Sequence, residues 1–287
     1  MRRFLVGTDW WTDCDDAVAM RILARAVKEK EIELAGIGIN ACMEYSAASL
    51  IGFLKSEGVT DIPVGIDREA TDFGGDPTYQ KRLAENYAPQ IKNDDLENAA
   101  DLYIRKLKES DGKLEIIEIG YPQVLSQVLM REPRLFKEKV EKVWMMAGKW
   151  DILPGRENNF ARNERSRKAA HYFCAHCPVP ITFLGWEISN NILTGDCLGA
   201  DDPLYQALCD HGSPHGRSSW DPMLMLLALT GDEAAAGYAA VRGKANVDGE
   251  TGENDFTPLA DGPHRYVKKL YPDDYYRTLV NSKIQTQ

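Results

Sequence analysis

The sequence predicts one α/β domain over residues 1–287, with a mostly parallel central sheet flanked by helices and a Rossmann-like core. Short apolar segments alternate with segments whose apolar residues recur at helical spacing, which is typical of βαβ units. No Ser/Gly-rich linker divides the chain. A length of 287 residues with 44% apolar residues is enough for one large core.

The N-terminal elements follow from apolar patterning. Residues 3–8 predict a buried strand, and a helix begins at Asp15-Asp16 because the apolar residues after it, such as Ala17, Met20 and Leu23, share one face. We expect a strand over 33–39, a helix over 46–56 and a strand over 62–65. Such sheets bind ligands beyond the carboxyl ends of their strands.

Residues 67–93 begin with the Gly/Pro/Asp-rich run Phe73-Gly74-Gly75-Asp76-Pro77 and have no clear period. We interpret them as an active-site loop or lid. The alternation then resumes, with helices over about 94–109, 122–131 and 163–174 and strands over 114–119, 143–147 and 179–184. The C-terminal part of the chain, from about residue 218, is expected to add helices and loops.

Composition excludes several classes of protein. Lys and Arg total 34 against 44 for Asp and Glu, so the net charge of −10 opposes binding to nucleic acid. No apolar run is long enough for a membrane span or a signal peptide. Six cysteines are too few for a disulfide scaffold. We expect a cytoplasmic enzyme or ligand-binding protein with no nucleic-acid or membrane partner.

The loop after the first strand is strongly acidic. Four carboxylates, those of Asp9, Asp13, Asp15 and Asp16, fall within eight residues at the start of a predicted helix. Their mutual repulsion is relieved only in part by the helix dipole, whereas a hard cation such as Ca²⁺ or Mg²⁺ relieves it far more. We favour a cation site. The alternative is a solvated helix start with Asp13 or Asp15 as the N-cap.

The pattern Thr8-Asp9-x-x-Thr12-Asp13-x-Asp15-Asp16-Ala17 resembles the N-terminal fingerprint of the inosine-uridine-preferring nucleoside hydrolases. Members of this family cleave the N-glycosidic bond of ribonucleosides with a bound Ca²⁺. The resemblance implies a nucleoside hydrolase-like domain in which Asp9 is the general base and also contacts the metal. It further implies that Asp16 is a metal ligand and that Asp15 holds a ribose hydroxyl.

Later motifs resemble the family in the same order along the chain. Glu157-Asn158-Asn159-Phe160 is similar to the motif that holds the sugar, so the resemblance implies that Glu157 contacts the 5′-hydroxyl and Asn159 the 2′- and 3′-hydroxyls. The backbone carbonyl of Ile119 and the carboxylate of Asp221 would complete the metal ligands. Taken alone, the first motif is also typical of a polar turn, and Asp221-Pro222 of an ordinary helix start.

Trp220 stands where many family members have a histidine that can act as the leaving-group acid. In some purine-preferring members a tryptophan stacks on the base instead. By that resemblance Trp220, faced by Trp10, Trp11 or Tyr79, would enclose a purine. The alternative is that Trp220 is a core residue beside a helix start.

The chain departs from the family pattern at three places. Gly7 stands where many members have an additional aspartate, Trp10-Trp11 replaces a small pair that usually includes glycine, and Met43-Glu44 occupies the place of an asparagine that contacts ribose. These changes leave the expected metal ligands intact. They leave the identity of the substrate undecided, and the two tryptophans could narrow the substrate pocket.

We therefore expect hydrolysis of a ribonucleoside, with a purine preferred, by a Ca²⁺-bound water that Asp9 activates. The first alternative is a non-catalytic or altered-specificity binder of a ribosyl ligand with the same fold and metal site. The second is a Mg²⁺-dependent phosphatase, suggested by Asp13-Cys14-Asp15 after a strand. The resemblance also implies a homodimer or homotetramer.

One further pattern is assigned no chemistry. The run of His171, Cys174, His176 and Cys177 superficially resembles a Zn²⁺ site. We interpret it as a buried or helix-end cluster of thiols, because structural zinc usually takes ligands from two separated pairs.

Overall fold

The computed structural model describes residues 1–285. Residues 286 and 287, which the single-domain prediction includes, lie outside that range. Within residues 1–285 the strands are β1 Arg2–Thr8, β2 Ile32–Ile39, β3 Val64–Ile66, β4 Leu114–Glu118, β5 Val140–Met146, β6 Gly155–Arg156, β7 Ile181–Leu184, β8 Leu193–Thr194, β9 Arg217–Ser218, β10 Tyr238–Val247, β11 Glu253–Pro258 and β12 His264–Lys269.

The helices of the same range surround the sheet. They are α1 Asp15–Lys28, α2 Ser46–Ser56, α3 Gln80–Tyr87, α4 Ala99–Glu109, α5 Gln123–Arg131, α6 Pro133–Lys139, α7 Asn158–Ala161, α8 Glu164–His176, α9 Trp186–Ser189, α10 Pro203–His211, α11 Trp220–Thr230 and α12 Asp273–Ile284, with a 3₁₀ helix at Asn93–Asp95. None of them combines the length and apolar composition that crossing a bilayer requires.

The main sheet has ten strands in the order β3-β2-β1-β4-β5-β7-β12-β10-β11-β6, and β8 and β9 form a separate pair. Pairing is parallel from β3 through β12 and antiparallel from β12 to β6. The predicted α/β class with a mostly parallel sheet is confirmed. Strand order reverses direction beside β1, so the crevice between β1 and β4 at their carboxyl ends is a topological switch point, where ligands bind in open sheets.

Helices cover both faces of the sheet, and β1 shows how one strand serves the two layers. Phe4 and Val6 belong to an apolar cluster with α1, α2 and α11, whereas Leu5 belongs to a second cluster with α4, α5 and α8. This follows from the alternation of side chains along a strand. Burial on both faces holds the carboxyl end of β1 rigidly in the middle of the molecule.

Two expectations from the sequence are wrong. Residues 67–93 are not a continuous loop, since they contain α3 and the start of the 3₁₀ helix. The C-terminal part is not only helices and loops, because β10, β11 and β12 extend the main sheet. The pairing of β12 with β7 is long-range, so apolar patterning read locally did not reveal it.

Some helices begin or end at other residues than predicted, because capping residues set their boundaries. The helix expected from residue 94 begins at Ala99, because the side chain of Asn98 accepts hydrogen bonds from Ala100 N and Asp101 N. After α5 the chain starts another helix, α6, with Pro133 at its first position.

Candidate functional site

Three aspartates from distant parts of the sequence meet at the carboxyl end of β1. Asp15 and Asp16 begin α1, and Asp221 lies in the first turn of α11. Carboxylate oxygens of these three residues lie within 4.8 Å of one another, and all three side chains are buried. Such a group of oxygen donors is suited to a hard divalent cation.

Hydrogen bonds hold the aspartates in place. Asp16 Oδ1 accepts from the Thr8 hydroxyl and, at 3.3 Å, from Trp10 N. Asp15 Oδ2 accepts from Asp221 N at 3.1 Å, which ties α1 to α11. Asp9, directly after β1, is also buried and lines the same cavity. The turn between β1 and α1 therefore brings Asp9 and Asp16 to one wall.

Asp9, Asp15, Asp16 and Asp221 lie close together without enough positive charge nearby to balance their carboxylates. Burial, and then the charge of Asp15, raise the pKa of Asp9 to about 8. Burial also raises the pKa of Asp15, Asp16 and Asp221 well above the usual range, with their mutual repulsion adding to it. A bound cation would keep all four carboxylates ionised. The donor set and the burial thus fit the metal that the resemblance implies.

The cavity beside these acids has a volume of about 260 Å³. It is lined by Asp9, Asp13, Asp15, Asp16, Ile119, Met146, Glu157, Asn158, Asn159, Trp186, Arg217, Trp220 and Asp221. A larger groove of about 620 Å³ lies between α1, α11 and α12, but its charged side chains, such as Arg25 and Glu29, are on the surface. The buried acidic side chains line the smaller cavity, which is therefore the candidate site.

The side of the cavity formed by α7 presents the predicted sugar-binding residues. Glu157 caps this helix: Oε1 accepts from Asn159 N at 2.7 Å and Oε2 from Gly148 N at 2.9 Å. Burial raises the pKa of Glu157 to about 7. Asn159 Nδ2 donates to the Met146 carbonyl at 2.8 Å, which fixes the amide at the end of β5. Both residues belong to the cavity wall.

Aromatic rings form another part of the wall. The rings of Trp186 and Trp220 have centroids 6.5 Å apart and planes inclined by 24°, and Trp220 Nε1 donates to the Trp186 carbonyl at 3.0 Å. The guanidinium of Arg217 lies 5.1 Å from the centre of the Trp220 ring and forms an ion pair with Asp13. Sequence reasoning missed Trp186, although its place just after β7 is a signal for a site residue.

Tyr79 and Trp11 do not face Trp220 as predicted; Trp186 takes that place. Tyr79 is fully buried with its ring 5.5 Å from Trp10, and Trp11 contacts Phe73 in a separate apolar cluster. The rings of Trp10 and Trp11 therefore do not narrow the cavity. Trp10 adopts a left-handed backbone conformation, with φ of 44°, which glycine adopts at less steric cost.

Ile119 lines the cavity as expected, and two residues that sequence reasoning missed, Asn40 and Glu118, bond to the turn that follows it. Asn40, directly after β2, donates to Glu118 Oε1 at 2.7 Å and accepts from Tyr121 N at 2.9 Å. The amide near the end of β2 is thus Asn40, whereas Glu44 is exposed. Burial raises the pKa of Glu118 to about 8.

Two other groups do not form comparable sites. Asp13, Cys14 and His211 also lie near one another, but Asp13 is already neutralised by Arg217 Nε at 2.7 Å. In the cysteine-histidine run, His171 Nδ1 is 2.7 Å from the Val247 carbonyl, and His176 Nδ1 is 2.9 Å from the Tyr172 carbonyl. The Nδ1 atom of each histidine is therefore within hydrogen-bond distance of a backbone carbonyl.

No protein-family model and no curated protein matches this sequence. Solved structures do. A plant nucleoside hydrolase superposes with a TM-score of 0.78 at 18% identity, over 100% of this chain and 99% of that chain. The chain has the nucleoside hydrolase fold. An inosine-uridine-preferring nucleoside hydrolase from Bacillus anthracis gives a TM-score of 0.71 at 15% identity, over 99% of this chain and 100% of the other.

The same fold is shared by the type III effector protein XopQ, solved with adenosine diphosphate ribose. Its TM-score is 0.68 at 15% identity, over 99% of this chain and 93% of the effector. The resemblance noted in the sequence is thus confirmed for the nucleoside hydrolase fold. Chemistry has to be argued from the site, since one fold hosts many activities.

Proposed function

We propose that the protein hydrolyses the N-glycosidic bond of a ribonucleoside to a free base and ribose, with Ca²⁺ as its cofactor. One observation carries this proposal. Asp9, Asp16 and Asp221, Glu157 with Asn159, and the tryptophan pair all line a single cavity at the switch point of the sheet. The structural neighbours named nucleoside hydrolases support it at the level of fold.

By the resemblance, the residues that would hold the cation are Asp9, Asp16, Asp221 and, through its backbone carbonyl, Ile119, and all four residues line the cavity. The carboxylates that lie within 4.8 Å of one another are those of Asp15, Asp16 and Asp221, so Asp15 is a further candidate ligand. Oxygen donors alone favour Ca²⁺ or Mg²⁺, and the resemblance favours Ca²⁺. When bound, the cation supplies electrostatic activation of a water molecule and a seat for two ribose hydroxyls. Asp15, bonded to Asp221 N, lies beside this group and can accept a hydrogen bond from the sugar.

The chain's own groups carry the remaining steps. Asp9 is the general base that takes a proton from the attacking water. Glu157 holds the sugar by its 5′-hydroxyl, and Asn159 holds it by the 2′- and 3′-hydroxyls. As the glycosidic bond lengthens, positive charge develops on the ribose ring. The buried carboxylates stabilise that charge without having to reorganise.

The leaving base is accommodated by the aromatic wall. Trp220 and Trp186 present ring surface on which a purine can stack, worth about 1–3 kcal/mol for each stacked base. The guanidinium of Arg217 lies against Trp220, and its charge is balanced by the ion pair with Asp13. We expect a purine to be preferred because it covers more of this wall.

The second candidate is a non-catalytic binder of a ribosyl ligand that uses the same cation and cavity. The likeness to XopQ, solved with adenosine diphosphate ribose, favours keeping it. It shares the sugar contacts of the first proposal and lacks the proton transfer to Asp9. A homodimer or homotetramer remains our expectation for the assembly, and light scattering measures it.

The test is a ribose-release assay with inosine, adenosine and uridine, in Ca²⁺ and in excess chelator. We expect release only in Ca²⁺, and a loss of about 100- to 10,000-fold in kcat for Asp9→Asn. Ca²⁺ and ribosyl-ligand binding without ribose release would establish the binder instead. Phosphate release from a phosphomonoester would favour the phosphatase.

A further inference from the structure

A row of glycines crosses the sheet beside the cavity and ends at a buried acid. Gly7 on β1 pairs with Gly38 on β2 and with Glu118 on β4, and Gly38 pairs with Gly65 on β3. A Cβ built on Gly7 would overlap the carboxyl of Glu118. Only glycine at position 7 leaves room for this side chain to lie across β1.

The Glu118 carboxyl bonds to two groups at the carboxyl ends of the strands. Its Oε1 accepts from Asn40 Nδ2 at 2.7 Å and from Gly120 N at 3.0 Å. Asn40 in turn accepts from Tyr121 N at 2.9 Å. The carboxyl therefore orients the turn at 119–121, the segment that presents Ile119 to the cavity.

This turn is packed directly against the acidic loop. A Cβ built on Gly120 would overlap Asp9 N and come within 2.6 Å of Asn40 Oδ1. A shift of the turn would therefore move Asp9, Ile119 or both. In residues 1–285, Glu118 Oε2 and the hydroxyl of Tyr103 are buried polar atoms that have no hydrogen-bond partner, so nothing else holds this carboxyl from its far side.

We propose that Glu118 is a positioning residue for the cation site. It holds the turn at 119–121 against Asp9, in space that an acidic side chain at position 7 would otherwise occupy. The proposal rests on the proposed function for the cation, of which Ile119 is a proposed ligand. Loss of an outer partner of metal ligands typically lowers metal affinity about 10- to 100-fold.

The test uses three variants of the full chain. Glu118→Ala removes the carboxyl, and Gly7→Asp/Glu118→Ala returns one to the vacated space from β1. Glu115→Ala is the matched control, because it removes an acid from the same strand that pairs with Arg2 at 2.5 Å. Ca²⁺ binding is measured by calorimetry well below each variant's melting temperature.

We expect Glu118→Ala to weaken Ca²⁺ binding by about 10- to 100-fold and the double variant to recover at least tenfold, on the scale of lost outer partners. Glu115→Ala should lower the melting temperature alone. Unchanged Ca²⁺ affinity in folded Glu118→Ala would overturn the proposal, and so would an equal loss in the control.

A second measurement needs no cation and separates this proposal from the function itself. Hydrogen exchange of the Gly120 and Tyr121 amides should rise about tenfold or more in Glu118→Ala and stay unchanged in Glu115→Ala, since only the first opens their hydrogen bonds. If the parent binds no Ca²⁺, the proposed function fails while this measurement still decides whether Glu118 holds the turn. Unchanged exchange overturns the positioning role.

Discussion

Two groups of neighbouring acids in residues 1–285 differ in whether a basic side chain pairs with them. Glu57 and Asp202 flank the buried Arg21, whose guanidinium lies 2.6 Å from Glu57 and 2.7 Å from Asp202. Asp15, Asp16 and Asp221 are more deeply buried than Glu57 and Asp202 and have no such partner inside their group. Buried charge is tolerated when it is paired. We call the first group complete, because Arg21 pairs with its acids, and the second group incomplete, because it contains no cation of its own.

The largest expected effect concerns the incomplete group. Asp16→Asn keeps an oxygen for the Thr8 hydroxyl and Trp10 N but removes a charge from the cation site. We expect kcat to fall by roughly 100-fold or more and Ca²⁺ binding to be lost. Steady-state kinetics and calorimetry measure both. The matched control is Glu57→Gln, which changes the complete group and should leave Ca²⁺ affinity as it is; a similar loss there would contradict the comparison.

Breaking the complete group of Arg21, Glu57 and Asp202 should lower the stability of the protein. Arg21→Met removes the cation and leaves Glu57 and Asp202 buried and unpaired, so the free energy of unfolding should fall by about 3–5 kcal/mol. Chemical denaturation measures it, with Arg82→Met, at the exposed Arg82–Asp210 pair, as the control. If Arg21→Met were as stable as the parent, the group would not depend on its arginine.

Calcium and pH should act together on the incomplete group. Because burial raises the pKa of Asp9 to about 8, the metal-free folded protein binds more protons than the unfolded chain between about pH 4 and pH 8. The contribution of Asp9 to the stability of the metal-free protein is therefore largest at acid pH, and it is lost as the pH rises towards 8. Ca²⁺ requires ionised carboxylates, so its stabilising effect should grow over the same range.

The measurement is the melting temperature in CaCl₂ and in chelator, from pH 5.5 to 8. At a Ca²⁺ concentration 100 times Kd the added stability is about 2.7 kcal/mol. A difference between the two curves that shrinks as the pH rises would show that the acids do not bind the ion. Asp16→Asn serves as the control without the ion effect.

The smallest expected effect is that of Tyr79→Phe, which tests whether Tyr79 is a core residue. Its hydroxyl is buried and has no hydrogen-bond partner among residues 1–285, so Tyr79→Phe should change the free energy of unfolding by about 1 kcal/mol or less. KM should stay unchanged, whereas Trp220→Ala should raise it. A large rise in KM for Tyr79→Phe would show that Tyr79 does contribute to binding of the base.

Much of the fold could be predicted from the sequence because its signals are local. The apolar strand at the N-terminus and the helical spacing after Asp15 both reappear as β1 and α1. The antiparallel strands β10–β12 were missed although β10 and β11 form a local hairpin, and their place in the main sheet depends on the pairing of β12 with the distant β7. For the site, Trp186 and Asn40 were missed because each follows a strand without a recognised motif.

The sequence alone determined which side chains bear charge and which lie at strand ends: Asp9, Asp15 and Asp16 are acidic in any conformation. The resemblance implied that Asp221 joins them, and the structure places it beside Asp15 and Asp16. Only the tertiary structure decided that Trp186 rather than Tyr79 faces Trp220 and that Glu118 lies over Gly7. The reason is physical. Burial, pairing register and side-chain direction depend on neighbours remote in the chain, and these set both the pKa of each acid and its need for a cation.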